Sequence, residues 1–595
     1  VIPDLLEIAA IHGAYRDGTL TPVALMETLI ARMDAYPDRA VLISRCCNEE
    51  ILGRAAALDP AQMDRLPLFG IPFVVKDNID VANIPTTAGC PEFAYTPEKD
   101  STAVAKLRAA GAIVLGKANL DQFATGLNGT RSPYGAPRSV FNADYISGGS
   151  SSGSAVAVGA GLAAFSLGTD TAGSGRVPAM FNNLIGLKPS IGRISAAGAV
   201  PACKSLDCVS IFANSAADAM TVLQIAEGLD AVDPYSRPPA TITLPQRPRL
   251  GILAASDRDF AGDPDTPKLY EAAIAAAQSL GFETADVDYA PFREIAAALY
   301  GGAFVAERLA AIRPFFHSHA AAINPVVRSI IEGAQKFSAA DAFAEIYRIQ
   351  ALRRLAQAEL AKCDALLLPT APTIYTVAEM LADPVALNAK LGLYTNFVNF
   401  LDLAAVAVPA GFRPDGLPFG VTFIGPAFSE HSLAAYADQL HATLGAGSGK
   451  TKAIPQSRLA PPPDQNVTLV VAGAHLSGMA LNHELQNLGA HFVTATTTAP
   501  DYQLFALATT PPKPGLVHTP GHEGTGIAVE LWSLSPENFG KFVAALPAPM
   551  GIGKVTLTDG TTHPGFLCEA YALQNAADIT RFGGWRNYLN AKPVA

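Results

Sequence analysis

The chain is poor in cysteine, in charge and in unbroken apolar runs. Seven cysteines are scattered over 595 residues, at 46, 47, 90, 203, 208, 363 and 568, and no C-x-x-C pair occurs. An odd, sparse set of this kind argues against a disulfide framework and a cysteine zinc site and fits a reducing compartment, so a cytoplasmic location is expected. No stretch of about 18 apolar residues runs free of polar, Gly or Pro breaks, so no membrane span is expected. The opening VIPDLLEIAAIHGAYRDG reads as an amphipathic helix and lacks the basic start and cleavage site of a signal peptide. Charged residues make up 16%, and acidic ones exceed basic ones to give a net charge of −11. That balance disfavours nucleic acid, which is held by basic faces. Histidine is scarce where it would matter most: only His12 precedes residue 317.

What is present is a globular composition, 49% hydrophobic and rich in Ala, Gly and Pro. A length of 595 residues exceeds the roughly 300 at which single cores stop growing, so more than one core is expected. Residues 3–58 read as helical, with Thr21 a helix N-cap before Pro22. PLFGIPFVVKD reads as a strand ending on Lys76. A helix over 101–110 and the strand AIVLGKAN follow, then a polar, glycine-punctuated loop over 119–135. A helix is expected over 216–227, a Pro-rich connection over 233–249 and the strand LGILAA after it. Residues 266–361 read as mostly helical. ALLLPTAP, LAAVAVPAG and FGVTFIGPA are further strand candidates, and a helix over 431–444 closes the pattern. These alternations define an α/β domain over residues 1–445. The Gly/Ser/Pro-rich stretch 446–466 reads as a linker. Residues 467–595 carry short strands (VTLVVAGAHL, AHFVTATTT, YQLFALAT, GIAVELWSL, GKVTLTDG), a smaller β-rich domain.

The chemistry concentrates in two Ser/Gly-dense turns, 150–154 and 171–175, separated by a helix of small residues and a short strand. In DTAGSGR a tight turn can aim several N–H groups at one point, as a developing oxyanion requires, with Ser174 as the nucleophile. Serine needs a base. With only His12 in this half, Lys76 is the economical candidate, provided burial lowers its pKa enough to leave it neutral. Two decoys are set aside. GSSSG at 149–153 fits a nucleophile elbow but follows no buried strand. GSGKT at 447–451 looks like the end of a phosphate loop but lacks its first glycine and follows a helix.

FVVKDNID, NLDQFATGLNGTRSPYG, SGGSSSGS and TDTAGSGRVPAMFNNLIGLKPS together resemble the amidase signature family over roughly residues 1–445. The resemblance implies one large α/β/α domain with a mixed central sheet. It also implies a Ser–cis-Ser–Lys triad, with Ser174 as nucleophile, Ser150 as the bridging serine after a cis peptide and Lys76 as base. The N–H groups of Thr171, Ala172, Gly173 and Ser174 would form the oxyanion hole. No cofactor or metal is implied.

Within the family, TAGSGRVPA, YTNFVNFLDLAAVAVPAGF and the appended GAHLSGMALNHEL most resemble the allophanate hydrolase branch. That branch cleaves a small anionic amide to ammonia and N-carboxycarbamate, in the step that follows urea carboxylase. A homodimer is expected, with no nucleic-acid or membrane partner. The segment YGGAFVAER resembles the branch's carboxylate-binding segment. If 300–308 is one helix, Tyr300 and Arg308, offset by about 80°, reach the same ligand. Arg176 is a rival anchor, and Gly126 a backbone contact to the substrate. The second domain resembles the γ-glutamylcyclotransferase-like fold. Its His475, at a strand end, is a candidate for decarboxylating N-carboxycarbamate; an assembly role is the competing reading of that domain. For the whole chain, two further functions stay open: the amidase subunit of a tRNA-dependent amidotransferase, and a scaffold with a vestigial triad.

Overall fold

The computed structural model describes residues 2–459, 466–509 and 512–591. The chain divides into two compact units, residues 1–462 and 463–595.

Among the described residues of the first unit, eleven strands form one mixed sheet: β1 (Leu42–Arg45), β2 (Pro72–Lys76), β3 (Ile113–Ala118), β4 (Phe165–Asp170), β5 (Ile185–Lys188), β6 (Cys208–Ala213), β7 (Arg249–Leu253), β8 (Glu283–Val287), β9 (Ala365–Pro369), β10 (Leu403–Phe412) and β11 (Pro418–Pro426). Their order is β1-β3-β2-β4-β6-β5-β10-β11-β9-β7-β8. Parallel pairs (β2 with β3 and β4, β7 with β8 and β9) flank an antiparallel centre that runs from β4 through β6, β5 and β10 to β11. Strands β2 to β6 are buried along their whole length. That is why none of them shows the apolar–polar alternation of a half-exposed strand.

Local signals set several helix boundaries. Thr21 accepts the N–H of Ala24 and Pro22 opens the helix Pro22–Ala35. Ser101 caps Thr102–Ala109, and Ser215 caps Ala216–Ala226. The small-residue helix Ser152–Gly159 is buried at every position. Its Ala, Val and Gly side chains let it lie against β4, with Ser154 Oγ donating to the carbonyl of Leu167 and Ser166 Oγ to that of Ser154.

Two expectations need correction. The helical run expected over 3–58 contains β1; the run 266–361 is mostly helical, as expected, with β8 inside it. Both strands are short edge strands without a full apolar run, and β8 (ETADV) is half polar. The stretch 446–459, read as linker, is packed onto the first unit. Asn183 Nδ2 donates to the carbonyls of Ala446 and Gly447, Ser448 is buried, and Glu7 accepts the N–H groups of Gln456 and Ser457. The rest of that stretch, 460–465, lies outside the described residues. The run Ala290–Ala322 is long and apolar enough to cross a membrane by composition. It is two helices, Ala290–Gly301 and Val305–His319, and side chains of both enter the unit's buried clusters.

The second unit has its own core around Leu469, Val471, Leu504, Leu531, Trp532 and Phe566. Its strands are β12 (Val467–Val471), β13 (His491–Thr497), β14 (Tyr502–Leu507), β15 (Lys513–His518), β16 (Ala528–Leu534), β17 (Met550–Thr556), β18 (Thr562–Cys568) and β19 (Ala577–Asp578). They form a five-stranded sheet, β13-β16-β12-β18-β17, and a three-stranded one, β15-β14-β19. Strands β15 and β18 escaped the sequence reading because each contains a Pro-Gly pair, which ordinarily demotes a strand.

Candidate active site

The site lies at the ends of β2 and β4 and in the turns that follow β3 and β4. Lys76 is the last residue of β2, which puts its amine beside the turn carried by the small-residue helix. Lys76 Nζ lies 2.8 Å from Ser150 Oγ, and Ser150 Oγ lies 2.9 Å from Ser174 Oγ. The Gly149–Ser150 peptide is cis, as the resemblance implies. Nζ also donates to Thr169 Oγ1 at 2.7 Å. Lys76 and Ser150 are fully buried and Ser174 nearly so. Burial lowers the lysine pKa to about 7, against the opposing pull of Asp121, Asp207 and Asp170. An amine near that value is neutral half the time at neutral pH and can take a proton from a serine.

The turn after β4 is held by Asp170. Its carboxylate accepts the N–H groups of Gly173 and Gly175 and pairs with the Arg176 guanidinium through Nε (2.9 Å) and Nη2 (3.0 Å). Gly173 has φ +131°, and a Cβ there would meet Thr395 Oγ1 at 2.4 Å, so only glycine fits. Two expectations change here. The Gly173 N–H is already donated to Asp170 at 2.8 Å, which leaves Thr171, Ala172 and Ser174 with N–H groups that have no hydrogen-bond partner among the described residues. Arg176 is fully buried and also reaches the carbonyl of Thr395 and Oδ1 of Asn399, so it ties the turn to its surroundings and is not a free anchor. Thr171 Oγ1 donates to Asp207, a carboxyl that burial pushes up to about 6 and that also takes the N–H groups of Ala202 and Cys203.

Tyr300 and Arg308 do meet, but not on one helix. Tyr300 lies in the last turn of one helix and Arg308 in the next, after a break at Gly302–Phe304. Arg308 Nη2 donates to Tyr300 Oη at 3.2 Å, and the guanidinium lies 4.9 Å from the centre of the Tyr300 ring. Nη1 donates to Thr125 Oγ1 at 3.0 Å. The next residue is Gly126, whose carbonyl accepts from Ser174 Oγ at 3.5 Å. Arg308 is 2% exposed, its Nε has no partner, and no carboxylate lies within salt-bridge distance among the described residues. A buried guanidinium with no paired carboxylate, in the field of Asp207 and Glu307 and joined through Thr125 and Gly126 to the nucleophile, can receive a carboxylate.

The sequence reading missed Thr169, Thr125, Asp170 and Asp207. Asp170 had a signal: an acid opening a small-residue turn, with an arginine six positions on. Thr125 and Asp207 had none, because their roles come from long-range packing.

In the second unit, His475 lines a cavity of about 530 Å³ together with Glu484, Lys513, Phe542 and Phe566. His475 Nε2 lies 2.9 Å from Glu484 Oε2, the ring stacks on Phe566, and burial lowers its pKa. No cluster able to hold a metal ion occurs among the described residues.

Comparison with known proteins agrees with this geometry. Residues 24–434 match the amidase family model, and residues 467–590 match the model of the allophanate hydrolase C-terminal domain. The urea amidolyase of Lachancea kluyveri is 44% identical over 89% of this chain, which spans only 30% of that protein's length. A glutamyl-tRNA(Gln) amidotransferase subunit from Geobacter metallireducens is 32% identical over 72% of this chain and 95% of its own. The solved allophanate hydrolase of Kluyveromyces lactis is similar over 98% of this chain and 99% of its own, at 40% identity and a TM-score of 0.77. The chain belongs to the amidase family and carries, after its amidase domain, the C-terminal domain of allophanate hydrolases.

Proposed function

We propose that the chain hydrolyses allophanate, releasing ammonia from its terminal amide and leaving N-carboxycarbamate, which then loses carbon dioxide and a second ammonia. The observation that carries the reading is Arg308. It is a buried guanidinium with no carboxylate partner among the described residues, joined through Thr125 to the Gly126 carbonyl beside Ser174. An anionic amide bridges the two: its carboxylate meets Arg308 and Tyr300, and its amide carbon faces Ser174.

The chemistry follows from the contacts. Neutral Lys76 takes the Ser150 proton as Ser150 takes the Ser174 proton, and Ser174 Oγ attacks the terminal amide carbon. The negative oxygen is held by N–H groups of the 171–174 turn other than that of Gly173. Lys76 returns its proton through Ser150 to the leaving nitrogen, and ammonia departs. Water then attacks the acyl-serine by the same relay and frees Ser174. His475, paired with Glu484 in an apolar cavity, is the candidate residue for decarboxylation in the second domain. A cytoplasmic homodimer working beside a urea carboxylase completes the reading. The test is ammonia release by the purified chain from allophanate, malonamate, biuret and glutamine in parallel. Preference for the two small anions, allophanate and malonamate, is expected; turnover of glutamine with none of allophanate would overturn it.

A further inference from the structure

Asp121 takes no part in the serine–lysine relay, yet more of the site converges on it than on any residue in the relay. It is fully buried. Its N–H donates to the carbonyl of Ser150 at 3.0 Å, the residue at the centre of the relay. Its carboxylate accepts three main-chain N–H groups: Arg131 at 3.0 Å on Oδ1, and Asn128 at 3.2 Å and Gly129 at 3.0 Å on Oδ2. A Cβ on Gly149 would lie 2.2 Å from Oδ2, so the carboxylate is packed against the peptide that leads into Ser150. The loop it gathers carries the Gly126 carbonyl next to Ser174 and the Thr125 hydroxyl on Arg308.

We propose that Asp121 is a positioning residue, which locks the Ser150 turn and the 124–131 loop into one unit and adds a counter-charge to the Lys76 amine. The inference rests on the reading of Lys76 as the base. The groups facing Lys76 are the Ser150 and Thr169 hydroxyls and the carboxylates of Asp121, Asp207 and Asp170, of which Asp121 acts most strongly. On its own strand's end, the neighbouring Asp77 is paired with Lys117 at 3.3 Å. The Arg131 guanidinium, whose charge Asp121 feels, is committed to the carbonyls of Thr125 and Pro384. Asp121 is held by N–H dipoles, and its charge acts on both Arg131 and the lysine.

Removing that charge makes the protonated amine harder to keep. Asp121→Asn in the full chain should therefore move the acid limb of Ser174 labelling by a fluorophosphonate to lower pH, by about half a unit or more. The plateau rate above the limb should fall by about 10- to 100-fold, since the loop and the Ser150 turn are no longer held in register. A purely structural contact would lower the plateau without moving the limb in that direction. An unmoved limb, or a plateau within about twofold of the parent, overturns the proposal. Asp121→Ser, smaller and neutral, carries the same measurement if the Asn variant does not fold. Lys76→Ala separates the two ideas. If it still labels normally, the base reading falls. If it is inert and the limb of the Asp121 variant stays put, this inference alone falls.

Discussion

Replacing Arg308 by methionine tests the substrate reading directly. Methionine keeps much of the stem and removes the charge and the donors. The guanidinium makes no carboxylate contact of its own among the described residues, so the bond it is proposed to make is to the substrate. A hydrogen bond to a charged group contributes about 1.5–3 kcal/mol. At about 1.4 kcal/mol per tenfold, loss of one such bond lowers kcat/KM for allophanate roughly 10- to 150-fold, and loss of a bidentate pair lowers it further. Biuret replaces the carboxylate with a neutral amide of nearly the same size. The guanidinium's bond to that neutral amide is charge-assisted from one side only and lacks the ion-pair attraction and bidentate fit of a carboxylate, so biuret should lose less than allophanate does. The substitution also strips a donor from Thr125 Oγ1 and from Tyr300 Oη, which lowers the melting temperature. The ratio of the two kcat/KM values is insensitive to the fraction folded, and that ratio is the assay. A ratio unchanged from the parent refutes the argument and makes Arg308 a structural residue.

Ser174→Ala should reduce ammonia release by roughly 10⁴-fold or more and abolish fluorophosphonate labelling while the chain still melts cooperatively; residual labelling at full rate would place the nucleophile elsewhere. Deleting residues 466–595 should leave first-step ammonia release largely intact, because the first unit has its own core and its own complete relay; loss of all activity in soluble protein would contradict this. His475→Ala should slow carbon dioxide release relative to the first ammonia and leave the first step alone. Equal slowing of both would remove His475 from the second reaction.

Much of the site was legible because its chemistry is local. The cluster DTAGSGR carries the nucleophile, the turn and the arginine that ties the turn down, and the small-residue helix announces a close packing partner. Lys76 is the economical candidate where an apolar strand ends in lysine and histidine is nearly absent, but it is the resemblance to the amidase signature family that makes it the base and not a strand-end lysine. What failed was whatever depended on tertiary choice. Gly173 looks like an oxyanion donor until Asp170 is seen to occupy its N–H. Arg176 looks like an anchor until the same carboxylate claims it. The resemblance pairs Tyr300 with Arg308, and they do meet, but across a glycine break between two helices and not along one continuous helix. The linker reading of 446–459 failed because composition reports flexibility in the unfolded chain and says nothing of the grip that Asn183 and Glu7 exert on the folded one.

The strongest consequence of placing a lowered lysine and a carboxylate anchor in one buried site concerns pH. Lys76 works as a base only when neutral, and its pKa of about 7 sets the acid limb of kcat/KM near that value. Below it, activity falls about tenfold per unit. Asp207, pushed up to about 6, protonates just below this range and removes one of the charges that favour the lysinium, so the limb should flatten there. Binding allophanate adds a negative charge to the same low-dielectric space. That charge favours protonated Lys76, so the acid limb of kcat, which reports the occupied enzyme, should lie at higher pH than that of kcat/KM. At an effective dielectric of about 20, a unit charge roughly 8 Å away acts with about 2 kcal/mol, which bounds the separation of the two limbs at about 1.5 units. Biuret brings no charge, so its two limbs should coincide. If the limbs coincide for allophanate as well, its carboxylate is not in the same field as the base. If they separate equally for biuret, the displacement comes from closure of the site and not from charge.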